Sequence, residues 1–304
     1  MIDFVQFFCG TLLIYFSAEF IIRYGKELAF LLGVPRYIIG LTLISFGTSF
    51  PELVVNLNAS IINESSIVIG NIIGSNIANI ALVLSFAIII SPIALKGVKA
   101  NVLIYFLLST AFLIAFCLDG NLNRLEGSIL LFAFILFCFS IKREAKSEML
   151  IRDNKNKFDY HIIIILACSF FMLIAGSDLF INSAINIANS LGISKIAISL
   201  TMVAIGTSLP ELATSIIAAI KKEHDLLIGN IIGSNIMNIL MVLGTSILVN
   251  EINMLINYKA LITLLAVTIF IYIYSILKIN FSRIIAFILL SIYLIFNYSI
   301  FINN

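Results

Sequence analysis

The twelve residues IGNIIGSNIANI at 69–80 return at 228–239 as IGNIIGSNIMNI, with one difference. The same shift of 159 lays GTSFPEL (47–53) over GTSLPEL (206–212), Glu19 over Asp178, Gly33 over Gly192 and Thr42 over Thr201, with no gap from about residue 19 to 84. A chain that repeats itself in register over such a length is built from two copies of one structural unit.

Both copies are apolar. Hydrophobic residues make up 61% of the 304-residue chain and charged residues 11%; soluble domains carry about 25% charged residues. Apolar runs of about 18 residues or more, the length needed to cross a bilayer as a helix, recur at about 4–22, 36–62, 66–91, 100–118, 125–141, 160–189, 195–220, 225–249, 257–278 and 281–301. The short alternating segments of a membrane β-barrel are absent. The first run lacks a basic flank and a small-residue cleavage site, so it reads as a retained helix and not a signal peptide. The expected fold is an all-α polytopic membrane protein with ten transmembrane helices. Residues 1–141 form one five-helix repeat and 159–304 the other, joined by the charged cytoplasmic linker KREAKSEMLIRDNKNKF at 142–158. Five spans per half send the second copy through the membrane in the opposite sense. This is the inverted-topology repeat of many secondary transporters, whose sites lie at the midplane between repeats.

Charge orients the bundle. If ten helices alternate, 15 of the 18 Lys and Arg residues fall on one side, and only Arg124, Lys195 and Lys259 on the other. Basic residues collect on the cytoplasmic side. The expectation is a multi-pass protein of the plasma (inner) membrane with both termini extracytoplasmic.

Proline inside a helix removes a backbone hydrogen bond and clashes with the carbonyl four residues back. For Pro51 that carbonyl belongs to Gly47, and for Pro210 to Gly206. Each GTSxPE stretch therefore breaks its helix and frees carbonyl oxygens in mid-membrane, which is tolerated only where backbone is buried in protein or lines a cavity. Glu52 and Glu211 put a carboxylate at each break, and an intramembrane acid is costly enough to imply function. Thr48 and Ser49 share a helix face with Glu52, as Thr207 and Ser208 do with Glu211; Ser75 and Asn79 stand i,i+4 on the next helix, matched by Ser234 and Asn238. Every candidate ligand is oxygen. Such a set suits hard cations, and two carboxylates suit Ca²⁺, which takes 6–8 oxygens. Two Na⁺ would neutralise the same pair, and a third would need only neutral ligands.

Plainer readings exist. Proline can merely kink a transmembrane helix, a lone glutamate can be a structural hydrogen bond, and Gly70/Gly74 and Gly229/Gly233 match small-residue helix packing. Duplication of the whole polar set in inverted halves favours a shared site, with the packing role added. Glu19 and Asp178, in the first helix of each half, read as packing or gating contacts before ion ligands. Cys9, Cys117, Cys138 and Cys168 sit singly in apolar runs and read as buried small hydrophobes. His161 and His224 lie at helix ends and read as interfacial.

With these motifs in place, the chain resembles the cation/calcium exchanger superfamily, specifically its sodium/calcium exchanger branch of prokaryotic type. The resemblance rests on GTSxPE and GNxIGSN in each of two inverted five-helix halves, and covers nearly the whole chain. It implies antiport of cytosolic Ca²⁺ against entering Na⁺ by alternating access, the first helix of each half sliding against the other eight. It further implies that Glu52 and Glu211 are the central Ca²⁺ ligands, completed by the Thr48 and Thr207 carbonyls. Ser49, Ser208, Ser75, Ser234 and the two threonine hydroxyls would line flanking Na⁺ sites. The carbonyls of Ser45 and Ala204 would stand at their outer edges, and Asn79 and Asn238 would bracket the middle position. Several prokaryotic relatives and the potassium-dependent branch carry Asp where this chain has Asn238. An amide there holds the site near −2 and argues against K⁺ cotransport or a proton carried at that position. No segment here corresponds to the large Ca²⁺-sensing domains of animal exchangers.

Two other transport readings stay open. A Ca²⁺/H⁺ antiporter of the same fold is physically possible, because carboxylates in low dielectric can hold protons, although the Gly-Asn-x-x-Glu repeat of the proton-coupled branch is absent. A passive cation channel would also be oxygen-lined. An enzyme finds no support: there is no H-E-x-x-H and no nucleophile beside a base. Ca²⁺ and Na⁺ are expected as substrates, with the lipid bilayer as surroundings. No cofactor or nucleic acid is expected, and the chain reads as a monomer.

Overall fold

The computed structural model describes residues 2–94, 99–149, 160–191, 206–253 and 257–303. Among these the chain is helical apart from turns and four two-residue strands. Helix α1 (Ile2–Leu32) ends at Gly33, whose φ of 65° is the left-handed conformation that lets a helix close on itself. Two helices follow, α2 (Arg36–Thr48) and α3 (Phe50–Ile61), bent by 44° at Ser49. Next come α4 (Ser65–Ile90), α5 (Ala100–Cys117), α6 (Arg124–Met149) and α7 (Tyr160–Ser190). After the break at Thr207–Ser208 run α8 (Leu209–Ile220), α9 (His224–Val249), α10 (Tyr258–Ile276) and α11 (Arg283–Asn303).

Seven of these helices are long and apolar enough to cross a membrane, and the bent pair α2–α3 makes an eighth. Two shorter apolar helices stand where the seventh and tenth spans were expected, α8 and the Arg283–Ser299 part of α11. Residues 195–205 of the seventh span and 150–158 of the linker lie outside the described residues.

Burial sorts the helices. The most apolar stretch of α9 is wholly buried and that of α4 83% buried, against 28% for α1 and 33% for α7. The two central helices are also the two that carry GNxIGSN, and each holds a π-helical turn, at Asn79–Val83 in α4 and Asn238–Leu243 in α9. Single π turns inside α-helices concentrate at functional sites; these two begin on the asparagines singled out from the sequence. Peripheral α1 and α7 pack along each other. They approach so closely at Gly10 and Gly176 that a Cβ on Gly10 would stand 2.8 Å from the Phe180 amide nitrogen.

Two short ribbons tie the halves together. Strand β1 (Ile93–Ala94) pairs with β4 (Asn280–Phe281), and β2 (Asn121–Leu122) pairs with β3 (Ile252–Asn253), both antiparallel. Ile93 faces Phe281 in the first ribbon and Ile252 faces Leu122 in the second. The shift of 159 carries Ile93 to Ile252 and Leu122 to Phe281, so it converts one ribbon's register into the other's.

Charged contacts gather where α1 meets α8 and the α8–α9 turn. Glu223, nearly buried, takes Lys26 at 2.5 Å and Arg36 at 2.6 Å, and Lys221 donates to Glu19 at 2.6 Å. Glu19 is therefore engaged in an ion pair, and Asp178 is exposed. His224 is half-buried and bonds Ser91 Oγ at 2.9 Å. The cysteines correct the sequence reading. Only Cys117 is buried; Cys9, Cys138 and Cys168 are exposed on the outer surface. In a bilayer an apolar run need not be buried in protein, because lipid solvates it equally well.

Candidate cation site

The site begins at the two helix breaks. Ser49 has φ −83°, ψ 7° and Ser208 φ −88°, ψ 7°, so the two motifs turn in the same way. This is the sparsely populated bridge region, where many active-site residues sit. Pro51 and Pro210 fall in the first turn of α3 and α8, where a missing N–H costs nothing. Glu52 and Glu211 lie in those same first turns, where the helix dipole favours a negative charge. Both carboxylates are wholly buried.

Around them stand the expected oxygen atoms. Ser45, Thr48, Ser49, Ser208, Ser75, Ser234, Asn79 and Asn238 are all buried, and Thr207 is half-buried. Ala204 lies outside the described residues. Contacts cross between the halves: Ser49 Oγ donates to Glu211 Oε1 at 3.0 Å, linking one motif's hydroxyl to the other's carboxylate. Thr48 Oγ1 donates to Asn230 Oδ1 at 3.2 Å and lies 3.4 Å from Ser234 Oγ. Thr207 Oγ1 donates to Asn71 Oδ1 at 3.1 Å and lies 3.4 Å from Ser75 Oγ. The shift of 159 maps one threonine set onto the other. Ser45 is engaged both locally and across the halves: its hydroxyl donates to the Leu41 carbonyl and lies 3.4 Å from Met237 Sδ, and its own carbonyl accepts the Ser49 amide.

Several atoms inside this ring have no hydrogen-bond partner. They are both oxygens of Glu52, Glu211 Oε2, Ser208 Oγ, and both amide atoms of Asn79 and Asn238. Buried polar groups are almost always paired, and each exception calls for an explanation. Here the exceptions carry mostly oxygen acceptors, two of them carboxylates. A dehydrated cation would satisfy such a cluster where an apolar neighbour would not. Among the described residues no three His, Cys, Asp or Glu side chains come together, so any ion held between the glutamates would be completed by neutral oxygens.

Two participants were missed from the sequence, Asn71 and Asn230. Each sits in the GN of a repeated motif and orients a threonine of the opposite half; that recurrence was the available signal. The breaks are held in place by tight packing. A Cβ on Gly40 would stand 2.3 Å from the Leu226 carbonyl, and one on Gly229 would stand 2.3 Å from that of Tyr37. Gly229 and Gly233 thus carry the close-packing role read from their spacing, whereas a Cβ on Gly70 or Gly74 would meet nothing within 4 Å among the described residues.

The sodium/calcium exchanger protein family matches residues 2–141 and 161–302. The putative antiporter CaxA of Alkalimonas amylolytica is 35% identical over 250 residues, 79% of this chain and 78% of its own. The sodium/calcium exchanger MaX1 of Methanosarcina acetivorans is 29% identical over 290 residues, covering 81% of this chain and 82% of its own. Among solved structures, the sodium-calcium exchanger NCX_Mj soaked with zero Na⁺ and Ca²⁺ superposes with a TM-score of 0.83 at 29% identity, covering 98% of each chain.

Proposed function

Since the chain belongs to the sodium/calcium exchanger family, we propose that it exchanges Ca²⁺ for Na⁺ across a membrane, both ions using the ring of oxygens around Glu52 and Glu211. The observation that carries this reading is the pair of buried carboxylates at two matching helix breaks, with neutral oxygens contributed across the halves. Two negative charges balance one Ca²⁺ or two Na⁺. A buried site left with unbalanced charge is expensive, so occupancy by one ion type excludes the other, and that exclusion is what couples the two fluxes. Asn238 and Asn79 add no charge, which keeps the balance at two.

The ten-span, inverted arrangement belongs to the same proposal, with residues 1–141 and 159–304 as its halves and both termini outside. Several contacts support it. The register exchange between the two ribbons and the two Thr–Asn pairs is what a two-fold axis in the membrane plane would produce. Contacts also join ends that the Lys/Arg count assigns to one side: β1 with β4 on the cytoplasmic side, and Asn63 with Asn250 and Ser65 with Asn253 on the outer side. Alternating access would then expose the glutamates to each side in turn, with α1 and α7 sliding over the buried α4 and α9.

Sliding of α1 must break its ion pairs. The repeat-equivalents of Lys26 and Lys221 are Ile185 and Ile62, so neither of the two pairs that α1 makes has a counterpart in the other half's sequence. Glu223→Gln is expected to leave Ca²⁺ affinity near wild type while increasing, in a Ser215→Cys background and over the labelling seen without that substitution, modification by an impermeant maleimide from the cytoplasmic side. Unchanged modification would mean that these pairs do not hold α1.

Na⁺-loaded proteoliposomes diluted into Na⁺-free, K⁺-free buffer at constant pH test the function. Ca²⁺ uptake that requires the Na⁺ gradient is the expected result. Uptake driven by a pH step and indifferent to Na⁺ would identify Ca²⁺/H⁺ exchange, and uptake needing no counter-gradient would identify a channel.

A further inference from the structure

Helix α3 is amphipathic in the reverse sense. Its buried residues are Glu52, Asn56, Ala59 and Ser60, three of them polar, while Phe50, Val54, Val55 and Ile61 are exposed. Glu52, Asn56 and Ser60 are spaced i, i+4 and i+8, so they form one stripe along about 12 Å of helix. Asn56 is wholly buried with neither end of its amide hydrogen-bonded, and Ser60 Oγ is likewise buried and unpartnered. Neither residue belongs to the ring around the glutamates.

The helices packed against α3 carry polar groups of their own. Helix α3 packs against α4 and against the Asn238–Val249 half of α9. On that half Asn238 has an unpartnered amide, and Thr245 is half-buried. At the far end Asn63 Oδ1 accepts from Asn250 Nδ2. Along α3, neutral polar side chains thus lead from Glu52 through Asn56 and Ser60 towards the loop pair Asn63–Asn250, on the side that the Lys/Arg count makes extracellular.

The other half lacks this file. At the shift of 159, Ser215 stands for Asn56, Ala219 for Ser60, Phe86 for Thr245, Lys222 for Asn63 and Ser91 for Asn250. Two copies that agree closely around the glutamates diverge as soon as the helix leaves them. Keeping an unpaired amide buried carries its full desolvation cost. At the matching positions of α8 the second copy keeps a single unpartnered hydroxyl, that of Ser215, where the first keeps a whole amide and a further hydroxyl.

We propose that Asn56 and Ser60 form an additional cation site, one and two turns outward from Glu52, that takes a partly dehydrated Na⁺ on its way to or from the glutamates. The inference rests on the Na⁺/Ca²⁺ exchange reading. Amide and hydroxyl oxygens suffice for a monovalent hard cation, whereas Ca²⁺ gains most of its affinity from carboxylates, and Glu52 is the carboxylate that shares this stripe. The site is one-sided, so it raises apparent Na⁺ affinity at the outer face without altering the inner face. Asn56 and Ser60 thereby set which side of the membrane responds to low Na⁺.

The repeat supplies the test. Asn56→Ser with Ser60→Ala gives the first half the residues that the second already carries at these positions, so the substitutions are ones this fold accommodates. Half-saturating Na⁺ and Ca²⁺ would be measured from each side in oriented proteoliposomes, beside wild type and the single variant Ser60→Ala. The expected result is a rise of about threefold or more in half-saturating Na⁺ on the outer side, unchanged Na⁺ response on the inner side and unchanged Ca²⁺ half-saturation, with Ser60→Ala falling between. A Na⁺-driven wild type whose double variant responds identically would overturn the site alone, as would equal changes in both ions on both sides, the mark of a merely structural role. A wild type whose Ca²⁺ transport ignores Na⁺ would overturn the exchange reading and this site with it.

Discussion

Replacing either buried carboxylate by its amide, Glu52→Gln or Glu211→Gln, is expected to lower Ca²⁺ affinity by at least about 100-fold, roughly 2.7 kcal/mol. Glutamine preserves size and shape, so the packing of α3 or α8 stays as it is. What changes is charge. With one carboxylate gone, a bound Ca²⁺ leaves a net positive charge among buried groups, and an uncompensated buried charge costs several kcal/mol. Thermal stability of the ion-free protein should move the other way or not at all. Two adjacent buried carboxylates repel each other, and neutralising one relieves both the repulsion and the desolvation of a charge. Glu52→Gln should show this more clearly, because neither Glu52 oxygen has a partner while Glu211 Oε1 accepts from Ser49. Radiolabelled Ca²⁺ binding and the thermal midpoint of the purified protein, measured side by side, check both halves of the prediction. A variant that still binds Ca²⁺ would remove that glutamate from the site; one that loses binding and folding together would make its role structural.

The largest effect on folding is expected at Gly229. Its added Cβ would meet the Tyr37 carbonyl oxygen at 2.3 Å and the Leu41 amide nitrogen at 2.8 Å. Both obstacles are backbone, so no side-chain rotamer can yield, and α2 and α9 must separate. Overpacking a close-packed site costs about 1–3 kcal/mol and sometimes more, and this contact lies at the harsh end. Gly229→Ala should therefore cost about 3 kcal/mol or more. Separation also carries away the neighbouring Asn230, to which Thr48 donates, so cation affinity and stability fall together. Gly25→Ala is the contrasting substitution. Its Cβ would come closest to the Ile44 Cδ1 methyl, at 3.3 Å, and alanine is the better helix former. Gly25→Ala should be near neutral in a fluorescence-detected melting assay in which Gly229→Ala loses most of its folded protein.

Much of this molecule is legible in its sequence, and the parts that are not share one cause. The helix breaks follow from proline chemistry alone, and they occur where GTSxPE stands. The proposed correspondence of the halves follows from arithmetic on the shift of 159, which also relates one ribbon's paired residues to the other's and one threonine's partners to the other's. Asn71 and Asn230 were not picked out because their bonds join residues 136 and 182 positions apart. Spacing along one helix reveals which side chains share a face, not which face of another helix they meet. The same limit hid Asn56 and Ser60, since a polar stripe turned inward looks like any other amphipathic pattern until the surroundings of the helix are known. The cysteines erred for a related reason: an apolar run in a membrane protein has two apolar destinations, and sequence alone does not choose between protein and lipid.

The most direct test of coupling at the two glutamates is simultaneous measurement of Ca²⁺ entry and Na⁺ exit, with two radioisotopes, in the same proteoliposomes at constant pH. Counterflow in a fixed ratio, lost in both directions when either Glu52→Gln or Glu211→Gln is introduced, is the result expected of one site that both ions must share in turn. Ca²⁺ entry without Na⁺ exit, or Na⁺ flux that survives when Ca²⁺ flux is abolished by both substitutions, would mean that the two ions do not compete for the carboxylates.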